Sequence, residues 1–112
     1  MIRSGLRIHV APGKRHEALR IIRSLLEPTR VQGGCLACRA YQDVEDPGVL
    51  ALVQEWSNSD DLDRYLQSED SRKYLALMEL ASRQPEIWFD TVVIRQGLER
   101  LAAALGGAVD AS

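Results

Sequence analysis

A glycine pair, Gly33-Gly34, releases the chain into Cys35-Leu36-Ala37-Cys38-Arg39-Ala40-Tyr41-Gln42-Asp43. The acidic turn Glu45-Asp46-Pro47-Gly48 sends it back as Val49-Leu50-Ala51-Leu52-Val53-Gln54-Glu55-Trp56. Turn residues between two apolar runs mark a hairpin. Ser59-Asp60-Asp61-Leu62 then reads as a helix start, with Ser59 as N-cap and two carboxylates at the positive end of the helix dipole. Strand, hairpin, strand, helix is half of a split β-α-β unit, so this stretch constrains the fold more than any other.

The flanking segments supply the other half. Ile2, Ser4, Leu6, Ile8 and Val10 alternate with Arg3, Gly5, Arg7 and His9, the period of a strand. Ala11-Pro12-Gly13 stops it. Ala18, Leu19, Ile22, Leu25 and Leu26 recur at helical spacing opposite a charged face. Pro28 is expected to bend or end that helix. The second strand is expected over Cys35 to Val44 and the third over Val49 to Trp56. The run Val49 to Val53 suggests a central strand covered on both faces, and it leaves open which face Trp56 takes. Leu62, Tyr65 and Leu66 give a short helix an inward stripe. Ser68 opens another through Tyr74, Leu75, Met78 and Ala81, ended by Gln84-Pro85. Ile87 to Ile94 reads as a fourth strand.

The order β-α-β-β-α-α-β predicts an α+β, ferredoxin-like fold, a four-stranded antiparallel sheet with helices on one face. Residues 1–96 form this domain, and 97–112 a short helix around Leu98, Leu101 and Leu105 with a frayed tail. The bare sheet face, bearing Cys35, Ala37 and Tyr41 or their alternates, is expected to pair with a second copy in a two-fold homodimer.

Composition excludes several functions. With 14 Lys+Arg against 16 Asp+Glu and the basic residues scattered, no nucleic-acid surface is indicated. No apolar run approaches the roughly 18 residues of a membrane span, and no signal peptide is apparent, so a cytoplasmic protein is expected. Cys35-x-x-Cys38 sits on a strand. Residues three apart there point to opposite faces, so the sulfurs should diverge. A metal site would also lack further ligands, and no metal or cofactor is expected. His9 is expected on the dimer side with Arg7, and His16 in solvent. Glu55 is expected in a salt bridge to Arg39 or to an arginine of the partner.

The Pro-Gly-led first helix, Gly34-Cys35-Leu36, the Asp43-Val44-Glu45-Asp46-Pro47 turn, Glu55-Trp56 before Ser57-Asn58-Ser59-Asp60-Asp61-Leu62, and the Tyr65-Leu66-Gln67-Ser68 break together resemble the antibiotic biosynthesis monooxygenase family. The resemblance spans about Ile2 to Ile94 and implies a dimeric α+β barrel. The family's haem-degrading branch has a Trp where this chain has Tyr65, a His ligand where it has Leu75, and an Asn where it has Leu6. A leucine cannot ligate iron, so haem chemistry is not expected.

The resemblance implies a cofactor-independent monooxygenase acting on a small aromatic or quinol substrate that supplies its own electrons. Tyr65 and Trp56 are the candidate catalytic residues, and Tyr74, Leu6, Leu75 and Met78 the candidate substrate-binding ones. The aromatic three also suit core packing. The alternatives are a non-catalytic dimeric small-molecule-binding or stress-associated module, and a purely structural dimer.

Overall fold

The computed structural model describes residues 1–106. Its elements are β1 (Ile2–His9), α1 (Arg15–Arg30), β2 (Cys35–Gln42), β3 (Val49–Trp56), α2 (Ser59–Gln67), α3 (Arg72–Glu79), β4 (Glu86–Thr91) and α4 (Leu98–Ala104). Short 3₁₀ turns at Pro12–Lys14 and Glu69–Ser71 lead into α1 and α3. The strands form one four-stranded antiparallel sheet in the order β2-β3-β1-β4. This is the α+β architecture expected from the element order. The tail from Gly107 lies outside the described residues.

Register settles the apolar run of β3. Ser4, Leu6 and Ile8 of β1 oppose Gln54, Leu52 and Leu50 of β3. These side chains face the helices and are buried, as is Trp56 at the end of the row. Ala18, Ile22 and Leu25 of α1 and Tyr74 and Leu77 of α3 complete the main core. Trp56, Leu62 and Tyr65 form a second cluster with Ile2 and Cys35 packed on it. The other sheet face carries Arg3, Gly5 and Arg7 opposite Glu55, Val53 and Ala51. That open face is studded with charge.

The structure differs from the sequence reading in four local details. A bulge between Cys35 and Ala37 shifts the β2 register, so Cys35 opposes Trp56 and Cys38 opposes Gln54. An extra residue in one strand reverses the alternation. Both cysteines therefore face the helices, and the sulfurs do not diverge. Helix α1 runs through Pro28 to Arg30. Proline removes the N–H that would bond the Ser24 carbonyl, and Lys73 Nζ of α3 donates to that carbonyl instead, at 3.1 Å. The N-cap of α2 is Asn58, not Ser59: its side chain accepts from Asp61 N at 2.9 Å. Finally, β2 stops at Gln42 and β4 at Thr91. Asp43 Oδ1 accepts from Glu45 and Asp46 N, folding the chain into the turn.

Candidate functional site

Trp56 and Tyr65 are brought together. Their rings lie 5.0 Å apart at 32°, within the range of favourable aromatic pairs. Both are buried, at 0% and 2% exposure. Trp56 Nε1 donates to Gln54 Oε1 at 3.0 Å, and Thr29 Oγ1 and Tyr65 Oη share a hydrogen bond at 3.2 Å. Tyr74 and Leu6 sit in the adjoining main core with Met78 packed on it. Leu75 points away, 56% exposed.

Two polar atoms in this layer lack partners. Gln54 Nε2 and the Tyr74 hydroxyl are buried without a hydrogen bond among the described residues. Ser4 lies beside that hydroxyl, and Gln54 beside Tyr65, without a well-formed bond. Unpaired buried polar atoms are rare in folded proteins and mark strain, water or a ligand. Burial raises the Tyr65 hydroxyl above its ordinary pKa and pushes Tyr74 up to about 12. Both hydroxyls are therefore neutral near pH 7, suited to donating a hydrogen bond and unsuited to acting as bases. Burial also raises the Cys35 thiol and pushes Cys38 to about 11, the mark of inert packing cysteines.

The space beside this cluster opens toward β4, whose helix-facing side chains are left exposed. Ile87 and Phe89, on the helix-facing side of that strand, are 44% and 49% exposed. A mainly apolar cleft of about 240 Å³ lies between α2, which contributes Ser59, Leu62, Asp63 and Leu66, and the strands, which contribute Ile2, Phe89 and Thr91. Ile2 and Leu62 of its lining pack against Trp56 and Tyr65. Among the described residues, Asp63 is the only ionisable side chain lining it. None of the six candidate site residues lines the cleft; two of them back it. The cleft residues escaped the sequence because α2 and β4 are far apart in the chain. Asp63 reads there as one more solvated charge.

On the open face, His9 and Arg7 share a side, as expected, with Arg7 paired to Glu86 at 3.0 Å. Glu55 is bound by Arg95 of its own chain, not by Arg39. Among the described residues no group of three or more His, Cys, Asp or Glu is placed to hold a metal ion. Among them, too, no helix is long and apolar enough to cross a membrane.

An antiparallel β2-β3-β1-β4 sheet with helices on one face and an aromatic-backed cleft between the layers defines a ferredoxin-like α+β domain with room for a small ligand. The family model described as antibiotic biosynthesis monooxygenase matches residues 1–77, and the chain belongs to that family. Similar solved structures include an antibiotic biosynthesis monooxygenase at 23% identity, covering 84% of this chain and 100% of that one with a TM-score of 0.75. A conserved protein from Methanosarcina mazei Go1 is 29% identical over 80% of this chain and 89% of its own, with a TM-score of 0.74. Rv0793 from Mycobacterium tuberculosis is 21% identical over 86% and 98%, with a TM-score of 0.77. At such identities, shared structure speaks for the fold, and function rests on the site. No curated protein matches the sequence significantly.

Proposed function

We propose that the protein is a cofactor-independent monooxygenase for a small aromatic or quinol-like substrate bound in the cleft between α2 and β4. The observation that carries this reading is the cleft itself: apolar, about 240 Å³, backed by Trp56 and Tyr65, with one carboxylate, Asp63. A flat apolar ring with an acidic hydroxyl or benzylic C–H fits such walls.

For an anthrone, Asp63 takes a proton from the benzylic carbon. The carbanion passes an electron to dioxygen, and the radical pair joins as a peroxide. Asp63 returns the proton, and the hydroperoxide loses water to leave a ketone. A methylene and dioxygen thus become a carbonyl and water, with all electrons supplied by the substrate. Ile2, Leu62 and Phe89 are assigned as the wall that holds the ring, with Trp56 and Tyr65 packed behind Ile2 and Leu62. The neutral Tyr65 hydroxyl is assigned as donor to the developing negative charge, reached by a deepening of the cleft past Leu62. Leu6, Tyr74 and Met78 belong to the adjoining main core and Leu75 faces solvent, so none of the four is assigned to the cleft.

The active form is proposed as a homodimer through the open sheet face. Trp88 lies on that face over Gly5, and Val93, Ile94, Leu98 and Leu101 just beyond β4 are exposed at 41–88%. Exposed apolar groups in such density seek a partner.

Turnover under heavy-isotope dioxygen tests the reaction: one labelled oxygen in the ketone is expected, and an unlabelled product overturns it. A non-catalytic binding module is favoured by one observation, the complete burial of Trp56 and Tyr65. It predicts ligand binding without oxygen consumption.

A further inference from the structure

A second cavity, of about 330 Å³, lies on the open face, away from the helix layer. Arg3, Arg39 and Arg95 line it against a single carboxylate, Glu55. Register explains the gathering. Arg3 and Ala37 flank Glu55 from the neighbouring strands, and Arg39 opposes Val53 one row further along. Glu55 is already taken by Arg95. Arg3 and Arg39 have no ion-pair partner among the described residues. Asp90 stands opposite Arg3 on β4 and makes no such pair. Tyr41 also lines it.

Guanidinium groups are planar forks that bind oxyanions through paired N–H bonds. A cavity of this size suits a small molecule, and its small alanine and valine floor leaves room for one. We propose that this cavity binds a small multivalent oxyanion, a phosphate or polycarboxylate, between Arg3 and Arg39, and that the anion couples to dimer assembly. The second half rests on the dimer reading above. A second copy over this face would strip water from guanidinium groups of both chains, which is costly unless they are neutralised. An anion in each cavity supplies the opposite charge.

The test is titration with inorganic phosphate, and separately with citrate, at ionic strength matched with chloride. Binding is followed by calorimetry and the monomer–dimer equilibrium by sedimentation. Saturable binding is expected. With two anions per dimer and weak binding to the monomer, the dimer dissociation constant should fall about 10²-fold at an anion concentration near ten times the anion's own dissociation constant. Both effects should vanish in Arg39→Gln and Arg3→Gln. They should persist in Arg7→Gln, whose guanidinium lies on the same face outside the cavity and is paired to Glu86. These arginines are surface residues, and thermal melts verify that each variant folds. Preference for phosphate over citrate, or the reverse, identifies the ligand chemistry. Heats no larger than those of chloride overturn the anion site, and a dimer seen in that case leaves the dimer reading standing. Arg39-dependent binding to a chain that stays monomeric overturns the dimer reading and the coupling with it, and leaves the anion site standing. Binding that leaves the dimer constant unchanged overturns the coupling.

Discussion

The indole of Trp56 and the phenol of Tyr65 meet at 5.0 Å between ring centres, joining the last residue of β3 to the second turn of α2. Each ring is tethered at its polar tip, Trp56 to Gln54 and Tyr65 to Thr29 of α1. Three elements are thereby fixed around the closed end of the cleft. The two tyrosines of this layer differ in one respect: Tyr65 has a partner, whereas Tyr74 has none among the described residues.

That difference predicts opposite responses to removal of a hydroxyl. Tyr65→Phe strands the buried Thr29 hydroxyl and should cost about 1–2 kcal/mol of stability. Tyr74→Phe removes an unpaired buried group and should change stability by less than about 0.5 kcal/mol or raise it. Urea denaturation of both variants checks this, and an equal loss in both would contradict it.

The alkaline limb of stability should report Tyr74. Burial holds its folded pKa at about 12, above the ordinary tyrosine value of 10.0. Its contribution is therefore complete below pH 10 and is lost as pH rises from about 10 to 12. Melting temperatures across that window should fall, and fall less steeply in Tyr74→Phe. Tyrosinate absorbance of the folded protein should show Tyr74 still protonated at pH 11.

Thiol chemistry should follow burial. Cys38 is 1% exposed with its pKa pushed to about 11, and the partly exposed Cys35 is also raised. At pH 8, iodoacetamide should label Cys35 slowly and Cys38 only after unfolding. Mass spectrometry of digested samples reads both sites, and rapid labelling of Cys38 in the native protein would refute the assignment.

Gly5 is held small by Trp88. A Cβ there would stand 2.0 Å from the indole Cζ2, so Gly5→Ala must push the ring off the sheet. A loss of about 1–3 kcal/mol is expected, typical of overpacking, with a red shift in tryptophan emission as Trp88 enters water.

The sequence carried the element order because its signals are local: alternation in β1, the Asp46-Pro47-Gly48 turn, the helical stripe of α1. Pairings across the sheet were not local and were not legible. The bulge that turns Cys35 inward exists only relative to β3. The Arg95–Glu55 bridge depends on where the chain runs after β4. Pro28 could continue the helix because Lys73, on another helix, replaced its missing donor. The aromatic cluster was legible as residue types at inward positions. The cleft beside it was not, since it forms between α2 and β4, which are far apart in the chain.

Oxygen uptake by the metal-free protein, measured against anthrones, dihydroxynaphthalenes and quinols, tests the proposed oxygenase chemistry most directly. Uptake well above the autoxidation blank is expected for at least one substrate, about 10²-fold slower in Asp63→Asn and reduced in Tyr65→Phe and Trp56→Ala. Uptake equal to the blank across the panel, or full activity in Asp63→Asn, would contradict it.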